Sequence, residues 1–176
     1  MYYKWEGVIS SKECEEIITE YKDKELVEAK TTDGDEDEAR CALIHWVDKE
    51  SMLTRMVMSF MTEANERFFG YKIDGSEAVQ FGKYDEGDKY DWRMDALNTS
   101  QQTIRKLTTV IQLSDPDDYE GGDFQLFAGE KDPEDLNIRS QGSVIVFDSR
   151  DWHRLTSITE GTRYSLAQWS QGSKFQ

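Results

Sequence analysis

At 176 residues the chain has room for one domain with a sizeable core, and 12% aromatic residues keep it globular despite a mean hydropathy of −0.76. Its 21 basic against 36 acidic residues leave a formal net charge of −15, which disfavours nucleic-acid backbone and anionic membrane surfaces as partners. No apolar run approaches the ~20 residues of a membrane span, and Met1–Glu6 has no signal-peptide core, so a cytoplasmic protein is expected. Cys14 and Cys41 have neither metal-site spacing nor the density of a disulfide framework and are expected as packing thiols.

Ser10–Glu13 reads as a capping box, and Cys14, Ile17, Ile18 and Tyr21 then fall at i, i+3, i+4 and i+7, one stripe of a helix. From Glu28 to Arg40 the chain is rich in Thr, Asp and Glu around Gly34 without a hydrophobic period, as expected of a mobile acidic loop. Cys41–Val47 is a short apolar run, most simply a strand. It carries His45, one of only two histidines. A lone histidine in an apolar strand is more often a hydrogen-bonded packing residue, so His45 is an outside candidate for a ligand. Ser51–Phe69 has helical spacing and stops before Gly70.

After Gly75 the pattern changes to short β-rich runs at Glu77–Tyr84, Ile104–Leu113, Asp123–Phe127, Ser143–Phe147, His153–Ile158 and Thr162–Trp169. Asp115–Gly122 and Gly129–Gly142 are polar excursions between them. Two helices followed by many strands predict a mainly β domain over residues 1–176, a sandwich or barrel formed by 76–176 with a helical support region in 1–75.

The stretch Tyr84–Asp95 turns an apolar strand into a cluster of carboxylates and aromatics. Side chains at i and i+2 of a strand share a face, so Arg93 and Asp95 should project together. His153 follows much later and Arg163 ten residues after it. Asp and His are two of the three donors of a 2-His-1-carboxylate face that binds iron(II). Arg163 with Ser165 places a guanidinium and a hydroxyl on one strand face, suited to a small dicarboxylate.

These residues, in this order, resemble the iron(II)- and 2-oxoglutarate-dependent dioxygenases, in particular the prolyl-4-hydroxylase-like branch and its short bacterial and phage-type members. The resemblance runs through Ala64–Gly70, Tyr84–Asp95, Gln112–Pro116, Gly121–Asp123, Gly142–Phe147, Trp152–Arg154 and Gly161–Leu166. It implies a double-stranded β-helix, or jelly roll, with the site between two sheets. It also implies iron(II) and 2-oxoglutarate as cofactors, ascorbate as a candidate reductant, and hydroxylation by oxygen of an unidentified small-molecule, peptide or protein substrate. A phage-encoded member would act in the cytoplasm of a bacterial host. By the same resemblance Asp95 and His153 match the carboxylate and distal histidine ligands. Arg163 and Ser165 match the anchor of the far carboxylate of 2-oxoglutarate, and Tyr84 a tyrosine facing the cosubstrate. Gln112 falls where a tyrosine can meet that carboxylate, and Trp169 and Tyr90 match aromatics of the pocket. Ordinary core packing is an equal reading for Tyr84, Gln112 and Trp169.

Where the family reads His-x-Asp, this chain reads Arg93-Met94-Asp95. A guanidinium stays protonated and has no lone pair to give a metal. Met94, at i+1, points to the other face, and a thioether suits a hard oxygen-rich site poorly. Three arrangements are compatible with these residues: a dioxygenase impaired to two protein ligands; a binding module in which Arg93 lies against Asp95 as a built-in cation; or an outward-turned Arg93 with His45 or water in the vacated place. Arg93 as an introduced substitution in a normal enzyme is also compatible with the sequence, and the resemblance elsewhere in the chain puts the enzyme-family reading first.

Overall fold

The protein is described by a computed structural model over residues 1–29, 42–127, 134–136 and 138–174. Strand β1 (Tyr2–Trp5) leads into helix α1 (Ser11–Tyr21). The capping box forms: Ser10 Oγ accepts from the Glu13 N–H at 3.3 Å, and the Glu13 carboxylate accepts from the Ser10 N–H at 3.1 Å. Strands β2 (Val27–Glu28) and β3 (Leu43–Trp46) stand on either side of residues 30–41, so Cys41 and most of the acidic stretch lie outside the described residues. Helix α2 (Met52–Ala64) continues as a π-helical turn, Asn65–Phe69, rather than as one regular helix. The Asn65 amide exchanges two hydrogen bonds of 2.9 Å with the Tyr71 backbone, and Gly70 ends the turn at φ +67°.

The remaining strands are β4 (Gly75–Ser76), β5 (Gln80–Tyr84), β6 (Tyr90–Arg93), β7 (Thr103–Gln112), β8 (Tyr119–Gly121) and β9 (Phe124–Phe127). They are followed by β10 (Glu134–Asp135), β11 (Val144–Asp148), β12 (Trp152–Leu155), β13 (Ile158–Gly161) and β14 (Arg163–Ser173). The strand expected from His153 to Ile158 is divided between β12 and β13. The ladder with β9 ends at Thr156: its N–H still donates in register to the Asp123 carbonyl at 3.0 Å, but the Asp123 N–H donates to the Thr156 hydroxyl at 2.8 Å.

The larger antiparallel sheet has the order β1-β11-β7-β14-β5-β3-β2, with β4 beside β14; the smaller has the order β10-β9-β12-β6, and β8 pairs with β13. Together they make the expected jelly roll. Along β11 the burial alternates by partner: Val144 and Val146 pack toward the helices, while Ile145 and Phe147 enter the core between the sheets. Cys14, Tyr21 and Val57 meet Phe81, Ile111 and Leu166 on the outer face of the larger sheet. The helices are thus a rigid backing that leaves the inner face to the site. Among the described residues no helix is long and apolar enough to cross a membrane.

Candidate functional site

A narrow cleft lies between the sheets. Its floor comes from the period-two alternation of the larger sheet: Arg163, Ser165, Ala167 and Trp169 of β14, Gln80 and Tyr84 of β5, Thr108 and Val110 of β7. The smaller sheet contributes Tyr90, Arg93 and His153, and Asp95 follows the end of β6. Arg93 and Tyr90 are three apart and still face one cavity because β6 bulges: Arg93 opposes His153 and Tyr90 opposes Leu155, so the longer count falls on β6. Arg93 and Asp95 line the same cavity, although the strand ends at Arg93 and Asp95 lies beyond it.

Asp95 is 4% exposed and heavily bonded. Its N–H donates to the Ser149 carbonyl at 2.8 Å, and its Oδ2 accepts from Trp169 Nε1 at 2.9 Å and Thr108 Oγ1 at 3.0 Å. Trp169 is itself clamped, with the Arg105 guanidinium 4.2 Å above its ring and Glu77 gripping that arginine through both oxygens. Burial would raise the Asp95 pKa. Attraction to His153 and Arg93 and the Trp169 bond outweigh it and hold the carboxyl down to about 2.

His153 is 2% exposed and ringed by Phe147, Tyr90 and Phe124. Its Nδ1 lies 3.2 Å from the Asp151 carbonyl, to which an Nδ1–H donates, and its Nε2 lies 3.4 Å from Asp95 Oδ2. Arg93 sits directly across the strand pair from His153. Its Nε is 3.7 Å from Asp95 Oδ1, its Cζ is 4.2 Å above the Tyr90 ring, and the buried Nε has no hydrogen-bond partner.

At the other end Arg163 is 3% exposed, lies across from Tyr84 on the neighbouring strand, and places Cζ 5.5 Å from that ring. Among the described residues no carboxylate pairs with it. Ser165 opposes Gly82. A Cβ at Gly82 would come within 3.2 Å of the Tyr84 ring, so the glycine lets that ring lie down against the cavity floor. Gln112 is differently engaged from the sequence expectation. Its amide donates to the Ser114 carbonyl at 3.1 Å and to Tyr119 Oη at 3.0 Å, and it lines a second small pocket that Arg163 also lines. Tyr119 is buried there under the Arg139 guanidinium, in a segment whose sequence reads as a turn. Thr108 also faces the cleft, and its inward place on an alternating strand is the sequence signal for it.

Residues 79–171 match the family model described as the 2OG-Fe(II) oxygenase superfamily. The chain belongs to that superfamily. Among its relatives is a PKHD-type hydroxylase of Shewanella frigidimarina, 28% identical over 96 residues, 52% of this chain and 42% of the relative. The chain spans about two fifths of the length of the first curated relatives it matches. A Pseudomonas putida prolyl-4-hydroxylase superposes with a TM-score of 0.77 at 17% identity, covering 98% of this chain and 93% of that one. A Trichoplax adhaerens prolyl hydroxylase, solved with a hypoxia inducible factor oxygen degradation domain peptide fragment, gives 0.77 at 18% identity, over 96% and 82% of the two chains. At these identities the superpositions establish the jelly-roll fold.

Superfamily membership implies iron(II) and 2-oxoglutarate as the family's cofactors. The residues of this chain fit the two groups unequally. Among the described residues no three His, Cys, Asp or Glu side chains converge as a metal face. Asp95 and His153 could each offer one donor, and the position facing His153 carries a cation with no lone pair. His45 cannot complete the set. It opposes Phe81 on the outer face of the sheet, its ring 5.7 Å from Tyr21 and its Nδ1 3.1 Å from the Glu25 carbonyl. The whole sheet separates it from Asp95, which corrects that outside candidate. A three-donor iron face is not what these residues build.

Proposed function

We propose that this chain binds 2-oxoglutarate in the cavity between the sheets, with Arg163 as the anchor of the far carboxylate. The observation that carries this is the burial of the Arg163 guanidinium with no carboxylate partner among the described residues. An unpaired buried charge is costly, and a bidentate carboxylate relieves that cost with two charge-assisted hydrogen bonds. Ser165 supplies a further hydroxyl and the Tyr84 ring a wall beside Arg163 in the same cleft. In the hydroxylases this chain resembles, bound iron(II) supplies oxygen activation. Here Arg93 opposes that step, so hydroxylation of a prolyl, amino-acid or peptide substrate is held down in this chain rather than performed at the family's level.

A second reading, hydroxylation with two protein donors, is favoured by one observation: His153 Nδ1 is tied to the Asp151 carbonyl so that Nε2 faces Asp95 at 3.4 Å. Isothermal titration of 2-oxoglutarate into the parent and Arg163→Leu, with and without Mn(II) under argon, tests the binding assignment. Arg163→Leu should weaken binding about a hundredfold, the value of a charge-assisted pair. No binding by the parent under either condition would reject it.

A further inference from the structure

We infer that Arg93 takes the place of the metal: the cavity holds a five-carbon dicarboxylate between two guanidiniums, Arg163 at one end and Arg93 at the other, with no metal ion. This rests on the 2-oxoglutarate-binding reading above and specifies how the second carboxylate is held. The first support is the state of Arg93. It makes no hydrogen bond among the described residues, its Nε is buried without a partner, and its approach to Asp95 at 3.7 Å is beyond hydrogen-bond reach. The guanidinium fork is therefore unsaturated, and it lines the same cavity as Arg163.

The second support is placement. The Tyr84 and Tyr90 rings are neighbours at 6.3 Å; Arg163 sits over the first and Arg93 over the second. Each cation is thus seated over one ring of the same tyrosine pair. A five-carbon diacid has about 5 Å between its carboxyl carbons, from four C–C bonds of ~1.5 Å, a span comparable with the 6.3 Å between the two rings over which the forks sit.

The third support is charge. The buried Asp95 carboxyl is turned into the cavity beside Arg93, and a carboxylate entering next to it meets another acidic group. A cation must stand between the two. Arg93 is the cation that contacts Asp95, while Arg105 is spent on Glu77 behind Trp169. A guanidinium fork recognises carboxylate oxygens and has no use for the 2-oxo group, whereas a metal chelate needs that keto oxygen. The site should consequently accept glutarate about as well as 2-oxoglutarate.

Calorimetry of the parent, Arg93→Met, Arg93→His and Arg163→Leu with 2-oxoglutarate and glutarate, each in EDTA and in Mn(II) under argon, separates the possibilities. Circular dichroism and a thermal melt confirm that each variant is folded. The parent should bind 2-oxoglutarate within about twofold in the two buffers, and glutarate within about threefold of it. Arg93→Met should lose at least tenfold in EDTA, one charge-assisted contact. Arg93→His should lose as much in EDTA and recover with Mn(II). A parent that binds only with Mn(II), or an Arg93→Met variant that binds like the parent in EDTA, overturns the metal-free clasp while leaving 2-oxoglutarate binding intact. An unchanged Arg163→Leu variant instead removes the anchor on which both rest.

Discussion

Arg93 Nε stands 3.7 Å from Asp95 Oδ1, directly across the strand pair from His153, so the chain presents a carboxylate, an imidazole and a guanidinium around one point. A positive charge at that distance opposes a bound cation by about 4 kcal/mol per unit charge at ~4 Å and an effective dielectric of ~20, roughly three decades of affinity. Arg93→His exchanges the repulsion for a donor. The variant should bind Mn(II) or Co(II) at least a thousandfold more tightly than the parent, read by EPR or visible absorption. It should also convert 2-oxoglutarate to succinate in air with iron(II). A variant that binds these ions no better than the parent would mean that position 93 does not face the metal.

The jelly roll and the two ends of its cavity were legible because they rest on local patterns. Alternation on the last strand set Arg163, Ser165 and Trp169 on one face, and the capping box fixed the first helix. Side chains whose place depends on partners distant in sequence were not legible. The Gln112 amide is turned toward Tyr119 by a contact between a strand end and a loop, and nothing in either segment announces it. The inward turn of Tyr90 comes from a bulge in β6, visible only once β12 is alongside. His45 was ambiguous from sequence because alternation says that it faces one side, but not which side holds the site.

Trp169 does more than fill space, since its indole N–H is one of two donors to a buried carboxylate oxygen. Trp169→Phe keeps the ring over which Arg105 stacks and removes that donor. A buried charged acceptor losing one bond costs about 1–3 kcal/mol. Urea unfolding monitored by circular dichroism should show a lower midpoint with an unchanged slope. A change below about 0.5 kcal/mol would reduce Trp169 to packing.

Asp148 joins the two layers: Tyr71 Oη donates to it, as does the Arg150 guanidinium through bonds of 2.9 and 2.7 Å. Burial acts to raise its pKa, but the Arg150 and Tyr71 bonds prevail and leave it lowered. A carboxyl depressed in the folded state contributes stability that is complete above its unfolded value near 4 and is lost as pH falls through the folded value. Asp148→Asn should therefore destabilise the protein by about 1–3 kcal/mol at pH 7, and the gap to the parent should close as pH falls below the ordinary carboxylate range. Equal penalties for the variant at pH 7 and in acid would show that the ionised form is not what holds Tyr71 and Arg150.

Two glycines with nearly the same backbone angle separate strain from collision. Gly70 has φ +67° and nothing within 4 Å of where a Cβ would stand; Gly142 has φ +75° and its Cβ would lie 1.8 Å from the Ile9 carbonyl oxygen. At Gly142 the chain cannot move aside, because its N–H donates to the Gln112 carbonyl at 2.8 Å and its carbonyl accepts from the Ile9 N–H at 3.2 Å. Those bonds fix the end of β7 to the entry of β11, next to the cavity floor. Gly70→Ala should cost about 1–2 kcal/mol, the penalty of a left-handed L-residue. Gly142→Ala should cost upward of about 3 kcal/mol, enough to lower the thermal midpoint by several more degrees. Equal losses would place the whole penalty in φ and none in the contact with Ile9.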